Sequence, residues 1–593
     1  MDFYQGRVLR VDLSRGEVRV EPLNMEWAHL YIGGKGLLFR YLLDEVAPGL
    51  DPWSPANPLL FFTGPFAGTT VSTCSRLVVG CKSLATGTIL DSYVGGSFAP
   101  ELKFAGYDAL ILMGGAAEPT LLWIEDDVVE LRPGAKYRGM GIAELERTLR
   151  EDLHPKARFM SNGPAGENLL PWACLSTDQY HKAGRGGAGA VLGVKNVKAI
   201  AVRGTGAVHV GDARAFQRDV RRIHDRYVHS ADNFWAHEEG TLALVDMVNF
   251  AGAMPTRNWT EGYFPDAAHV NSEAFLKVKR KNRACYQCAI GCRQFHDVGG
   301  VRGEGPEFET VALCGPNCGI GDIEALMRFN SRCDDLGLDT ISTGNVVGLA
   351  MDLTERGIAD FGLHFGEAQG YVAAPDLIAR REGPGADLAL GARALAERYG
   401  HPELAMQVKN LELPGYDPRG SFGMSLSYAT ADRGGCHQRS YVQADEILGG
   451  ELLPDTMEGK AAVNIHWQDF TSLKYTGIWC EFWAIDTDQM AQLMRHVWRR
   501  EVSEEELMPV GERIWNLGRL FNLREGFTRS DDRVPQKLLD EPLTEGPSAG
   551  KAIGLRLFEE ALSEYYCLRG WDEAGVPTRA KLAALKIDAP LSR

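Results

Sequence analysis

Residues 6–20 read GRVLRVDLSRGEVRV. Apolar and polar residues alternate on either side of Ser14-Arg15-Gly16, the pattern of two strands joined by a tight turn. Working outward, short apolar runs at 59–62, 109–113 and 120–124 are bounded by Gly and Pro, as buried strands are. A run at 197–202 closes this region, and Gly204-Thr205-Gly206 reads as a boundary. From Asp212 the period lengthens. Residues 212–229, 323–336, 347–356 and 386–399 space their apolar side chains as helices with charged outer faces. Residues 414–423 form a turn-rich break, after which 504–522 and 555–562 again read as helix. The expected fold class is α+β: a β-rich N-terminal domain over 1–207, then mostly helical domains over 208–413 and 414–593.

Composition narrows the function classes. The 593 residues suit about three or four domains at roughly 100–200 residues apiece. With 45% hydrophobic and 24% charged residues, the chain reads as a globular enzyme. A net charge of -16 opposes nucleic-acid phosphates, yet leaves room for a local basic patch that docks an acidic electron carrier. No apolar run approaches the roughly 18 residues of a membrane span. Residues 1–5 lack the basic start and apolar stretch of a secretory signal, so the expected location is cytoplasmic, with no membrane. Twelve cysteines in a reducing compartment are metal ligands or small buried residues, not disulfides.

Spacing selects among those cysteines. Cys285, Cys288 and Cys292 form C-x2-C-x3-C, and three thiolates this close can bind three irons of one cubane cluster. A zinc site and plain structural cysteines are the alternatives. The fourth cluster ligand must be distant, and Cys314, Cys318, Cys333, Cys436, Cys480 and Cys567 are all candidates on spacing. Glycine stands out, with 67 residues. The run AGRGGAGAVLG at 183–193 formally matches G-x-G-x-x-G at Gly184, Gly186 and Gly189. It lacks the preceding buried strand and the later acidic residue of a dinucleotide fold. A backbone nest for another phosphate or a pterin, with Lys182 and Arg185 adding positive charge, is the competing reading. Paired glycines also occur in GGKG at 33–36 and SYVGG at 92–96. Arg76 lies in the apolar segment SRLVVG and needs a partner for its donors.

These segments together resemble the aldehyde ferredoxin oxidoreductase family over essentially the whole chain. The resemblance rests on GRVLRVDL at 6–13, YIGGKGL at 31–37, SRLVVGCKS at 75–83, GGSFAPELKFAGYDALIL at 95–112, AGRGGAGAVLGVK at 183–195 and the cysteine triplet. It continues through GPEFET at 305–310, DDLGLDTIS at 334–342, RGGCH at 433–437 and YYCLRGWDEAGVPT at 565–578. It implies a β-rich domain cradling a tungsten or molybdenum bis-pyranopterin cofactor, with magnesium bridging the pterin phosphates and one 4Fe-4S cluster nearby. Asp334, Gly337, Leu338 and Asp339 match the family's D-x-x-G-L-D pterin motif, which on its own would read as an acidic helix end capped by glycine. Arg76 resembles the arginine linking cluster and pterin. Tyr93, Gly95, Lys182, Ala183, Gly184 and Arg185 fall at cofactor positions, with the carbonyls of Tyr93 and Ala183 at the magnesium site. Cys480 is the implied fourth cluster ligand. Its motif, D-x-x-G-L-C, is altered: Gly477 and Cys480 remain with an extra residue between them, no Asp opens the motif, and Asp469 is the candidate substitute.

Glu309 and His437 match the family's catalytic positions. There a carboxylate assists the metal-bound oxygen or an attacking water, and an imidazole donates to the substrate carbonyl. The implied function is oxidation of a small aldehyde to a carboxylic acid. Electrons leave to ferredoxin or a small iron–sulfur partner subunit, within an oligomer or hetero-oligomer. Two alternatives stay open. One is reduction of an aromatic coenzyme A thioester on the same scaffold, for which Cys314 and Cys318 are close enough in sequence to Glu309. The other is a non-catalytic iron–sulfur electron-transfer subunit.

Overall fold

The computed structural model describes residues 2–227, 230–450 and 452–588. The alternation at 6–20 becomes β1 (Arg7–Asp12) and β2 (Glu17–Pro22), paired antiparallel with Asp12 opposite Glu17. Then follow β3 (Leu59–Phe62), β4 (Leu77–Gly80), β5 (Ser92–Val94) and β6 (Ala109–Met113), giving a six-stranded sheet ordered β2-β1-β6-β3-β4-β5. Only the β1–β6 pairing in it is parallel. A second sheet is built from β7 (Thr120–Glu125), β8 (Val128–Pro133), β9 (Arg158–Asn162), β10 (Leu175–Thr177), β11 (His181–Ala183) and β12 (Val197–Arg203). Its order is β11-β10-β9-β12-β7-β8.

Side-chain alternation assigns the two faces of the first sheet. Leu59, Phe61, Leu77, Val79, Leu110 and Leu112 share a core with Leu122, Ile124, Met160, Ile200 and Val202 of the second sheet. Leu60, Phe62, Val78, Ala109 and Ile111 join the opposite core. That core also takes residues of α1 (Gly34–Glu45) and of the C-terminal helices named below. With both faces buried, the inner strands read as unbroken apolar runs.

Most of the remaining elements are helices and form a helical layer; those that bear on the site are α2 (Ala188–Val194), α3 (Ala213–Tyr227), α4 (Phe308–Cys314), α5 (Ile323–Leu336), α6 (Thr340–Glu355), α7 (Lys460–Gly477), α8 (Thr487–Trp498), α9 (Met508–Arg524) and α10 (Leu555–Arg569). The expected helix 212–229 is α3; residues 228–229 lie outside the described residues. Several expectations need correction. The helix expected at 347–356 begins at Thr340, because residues 341–353 of α6 are buried all round and leave no amphipathic stripe to read. The helix expected at 386–399 is two short ones, Gly385–Leu388 and Ala392–Arg398, broken at Gly391 with φ 91°. The middle region, expected to be mostly helical, also holds a three-stranded sheet that the sequence pattern does not mark: β13 (Lys279–Arg283), β14 (Arg293–Val298) and β15 (Val301–Glu304). The cysteine triplet lies in the β13–β14 connection. No described helix is long and apolar enough to cross a membrane.

Candidate active site

A cavity of about 820 Å³ opens where the edge strands β5 and β11 pack against each other beneath the helical layer. Arg76, Tyr93, Gly95, Lys182, Gly184, Arg185, Glu309, Asp334, Leu338, Asp339 and His437 line it, as do Cys285, Cys288, Cys292 and Cys480. Ala183 and Gly337 are buried behind them. Residues scattered over some 400 positions of sequence therefore converge on one space.

The DDLGLD segment is the junction between α5 and α6. Gly337 ends α5 in the left-handed region at φ 76°, and its N–H and that of Leu338 both bond the Cys333 carbonyl. Asp339 then caps α6, accepting from the Ile341 N–H at 3.1 Å and the Ser342 hydroxyl at 3.0 Å. The helix-end reading of this motif is thus correct as local structure, and the same turn presents Asp334 and Asp339 to the cavity. Burial raises both carboxyls above the ordinary range. Lys182 and Arg293 oppose the shift at Asp334, and Arg185 with Ser342 opposes it at Asp339. Lys182 Nζ lies 3.5 Å from Asp334, and Arg185 Nε 3.6 Å from Asp339. The glycine-rich run supplies these cations as β11 passes into α2.

The cysteines meet across the loop 72–76. Ser72 Oγ accepts from the Ala289 N–H at 3.1 Å, and the Thr73 carbonyl accepts from the Cys480 N–H at 3.1 Å. One loop thus holds the triplet segment and the Cys480 segment side by side, with Arg76 next in sequence. A Cβ added at Gly95 would lie 2.8 Å from Cys285 Sγ, so a side chain there would have to push that thiol aside. The Cys292 thiol is raised by burial, then by Glu307 and by the thiols of Cys480, Cys285 and Cys288, which places all four within mutual influence. Among the remaining candidates, Cys314 and Cys318 are buried, and their thiols face the carbonyls of Thr340 and Leu313 at 3.4 Å. Cys436 takes a hydrogen bond from Arg433, and Cys567 is exposed.

Glu309 stands in the first turn of α4, and His437 in the loop after Thr430. His437 Nε2 is 3.5 Å from Glu309 Oε1, and the Gly415 N–H donates to Glu309 Oε2 at 2.7 Å. Each side chain is 14% accessible, and both border the cavity. Burial pushes the Glu309 carboxyl up to about 8, against the Gly415 N–H and Arg185. Burial, then Arg185, Arg433 and Arg439, pull the imidazole well below its usual range. Both shifts favour the uncharged forms, a carboxylic acid facing a neutral imidazole, over an ion pair. The rings of Phe308 and Tyr416 close this end, with Tyr416 at 5.0 Å from Phe308 and 6.0 Å from His437.

The wall carrying Cys480 differs from expectation. Asp469 does not reach the cavity. His466, Phe470 and Lys474, one stripe of α7 at four-residue spacing, line it with Trp467, while Asp469 lies on the opposite side, paired with Arg569 of α10. The altered motif places Lys474, not Asp, three residues before Gly477. Lys474 Nζ donates to the carbonyls of Glu481 at 3.1 Å and Trp483 at 2.6 Å, pinning the Cys480 loop. The carboxylate on this wall is Glu481, which sequence reasoning missed. It pairs with Arg76, whose Nη2 donates to Oε1 at 2.9 Å, and accepts from Gln438 at 3.4 Å.

A second feature missed in the sequence fixes the His437 loop to the base. Lys35, fully buried, lies 2.6 Å from Asp432 and 3.4 Å from Asp91. Arg439 binds the same two carboxylates, with Nε 2.7 Å from Asp432. Burial raises the Asp432 carboxyl, but Arg439 and Lys35 together bring it below the ordinary range. The only hint in the sequence was the lysine inside GGKG. The cavity residues also carry buried polar atoms without partners: Glu309 Oε1, His437 Nδ1, Arg185 Nε and Nη1, and Arg433 Nε. An unpaired buried group costs about 1–3 kcal/mol. Such a set around one cavity fits a large polar, anionic cofactor that satisfies it.

Known proteins resemble this chain over nearly its whole length. The N-terminal domain of aldehyde ferredoxin oxidoreductase matches residues 8–204, and domains 2 and 3 of that family match 219–587. The chain is 40% identical over 98% of both chains to a tungsten-containing aldehyde ferredoxin oxidoreductase of Pyrococcus furiosus. It is 39% identical, again over 98% of both, to one of Thermococcus kodakarensis. Its fold matches the active-site complex BamBC of benzoyl coenzyme A reductase with 1,5-dienoyl-CoA at a TM-score of 0.86 and 24% identity, covering 99% of this chain and 97% of that one. The chain belongs to the aldehyde ferredoxin oxidoreductase family.

Proposed function

We propose that this enzyme oxidises aldehydes to carboxylic acids at a tungsten bis-pterin centre, with electrons leaving through one 4Fe-4S cluster to ferredoxin or a small iron–sulfur partner subunit. The observation that carries the reading is the Glu309–His437 pair, 3.5 Å apart on a cavity whose other walls hold four cysteines and paired carboxylates. Asp334 and Asp339 would accept from pterin N–H groups, and Lys182, Arg185 and Arg76 would meet the anionic parts of the cofactor. The carbonyls of Tyr93 and Ala183, on strands that pack together, would hold magnesium. Cys285, Cys288, Cys292 and Cys480 would hold the cluster.

When bound, the tungsten–pterin group supplies a two-electron acceptor. The overall change takes one aldehyde and one water to the acid, releasing two protons and two electrons. The neutral His437 donates a hydrogen bond to the carbonyl oxygen as charge grows there. Glu309, once ionised, takes the proton from the water that attacks the carbonyl carbon. Phe308 and Tyr416 limit competing water at that end.

Reduction of an aromatic coenzyme A thioester has no comparable support. The fold neighbour speaks to architecture, and Cys314 and Cys318 point their thiols at backbone carbonyls rather than at the cavity. The test is anaerobic reduction of benzyl viologen by acetaldehyde or benzaldehyde, with tungsten, molybdenum and pterin measured on the same sample. Aldehyde-dependent dye reduction by tungsten-loaded protein is expected. A cluster-containing, pterin-free protein would point to an electron-transfer subunit, and a pterin-loaded protein inert to aldehydes would point to the thioester reaction.

A further inference from the structure

The thiol loop at 284–292 reaches the surface: Ala284, Gln287 and Ala289 are exposed. The strand that leads into it, β13, reads Lys-Arg-Lys-Asn-Arg and is one of the two edge strands of its sheet. Arg280 is 62% and Arg283 42% accessible, each only loosely paired, at 3.8 Å, with Asp297 and Glu304. On the other flank lies α3. Its Val220, Ile223 and His224 line a small pocket with Ser72, Trp479 and Trp483, so the helix stands beside the same loop that holds the cysteine segments. Its outer side exposes Arg218, Arg221 and Arg222. In a chain of net charge -16, exposed basic side chains are thus gathered on two elements next to the thiol loop.

Lysines on an edge strand commonly guard against strand-to-strand aggregation. That accounts for one or two cations, but not for four in five residues joined to the thiol loop, nor for a second basic element across it. We propose that β13 and the outer side of α3 form the docking surface for an acidic iron–sulfur electron carrier, which takes electrons singly from the cluster over the shortest route to solvent. This rests on the electron-exit reading above. Each aldehyde yields two electrons, so a one-electron carrier docks and leaves twice per turnover. Charge complementarity of this kind acts mainly on the association rate and fades with salt.

The test is the double charge reversal Arg280→Glu/Lys281→Glu in the holoenzyme, with an acidic ferredoxin as acceptor. A second variant, Arg218→Glu/Arg221→Glu, probes α3. Arg15→Glu, on the exposed β1–β2 turn, is the control. At low salt kcat/KM for ferredoxin should fall about tenfold or more in both double variants and not in the control, and the gap should close by about 0.5 M salt. The rate at which benzaldehyde reduces the cluster with no acceptor present should stay unchanged. Equal kcat/KM for ferredoxin at low salt would overturn the proposal and leave the β13 cations as edge guards. If benzaldehyde fails to reduce the cluster even in the native enzyme, the functional reading fails instead. Salt-dependent binding of the ferredoxin, lost in the double variants, then still decides the docking surface.

Discussion

The two walls that face each other across the cavity hold their carboxylates in different ways. At the α5–α6 junction, Asp334 sits in the last turn of one helix and Asp339 caps the next, so both are set by helix-end geometry. At the Cys480 wall, Lys474 in the last turn of α7 clamps backbone carbonyls of the loop, and the carboxylate Glu481 is held by Arg76 from another part of the chain. The first wall is a local device and the second a tertiary one. A cofactor held by both would depend on single residues at the first wall, and on the Arg76–Glu481 pair at the second.

The largest expected effect belongs to the second wall. Cys480→Ala should strip or convert the cluster and reduce turnover to background, while pterin content should hold if the Asp334 wall binds it. Iron content and the reduced-state electron paramagnetic resonance signal check this. An unchanged signal would move the fourth ligand elsewhere.

Next come the two residues between the walls. Glu309→Gln should cost roughly 10²–10⁴-fold in kcat, as loss of a general base does. His437→Ala should cost on the order of 10²–10³-fold, as loss of an oxyanion donor does. Burial raises the Glu309 carboxyl to about 8, so its basic form grows as pH rises through that value. The rate of native enzyme should therefore climb with pH toward about 8, and the limb should vanish in Glu309→Gln. The imidazole, lowered by burial and by Arg185, stays neutral across this range and contributes no limb. If both act on one transition state, as proposed, the double variant should be less impaired than the product of the singles. Metal and cluster content must match native enzyme for these comparisons.

Why one wall was legible and the other was not follows from the same contrast. DDLGLD is contiguous, and its Gly and Asp have local jobs that a sequence displays. The strands were legible for a related reason: GRVLRVDL alternates because β1 carries polar residues between buried ones. Glu481 looked like any residue after a cysteine, since what makes it a cavity group is Arg76, some 400 residues earlier. The Lys35–Asp91–Asp432–Arg439 cluster was hidden for the same cause, four charges from three segments that are sensible only when folded. Periodicity likewise failed for α6, which is buried on every side.

The walls themselves are compared by occupancy. Asp334→Ala and Asp339→Ala should each lower tungsten and pterin content, since a buried ring donor left unpaired costs about 1–3 kcal/mol. Glu481→Gln should lower it less, because the amide oxygen still accepts, whereas Glu481→Ala should match the Asp334 variant. Full metal and pterin content in Glu481→Ala would confine the carboxylate contacts to the first wall.

The smallest effect is expected at Asp469, and it separates position in sequence from position in space. Asp469 lies on the helix that leads to Cys480, but its carboxylate is turned away from the cavity onto Arg569. Asp469→Asn keeps an acceptor for that guanidinium and removes only the charge. Tungsten, pterin and iron content should all equal native values, and kcat should be unchanged. Thermal stability should drop modestly, by about 1–3 kcal/mol, as when a buried charged hydrogen bond is weakened. A loss of pterin in Asp469→Asn with the melting temperature intact would contradict the assignment of this face of α7 and restore Asp469 as the second wall's carboxylate.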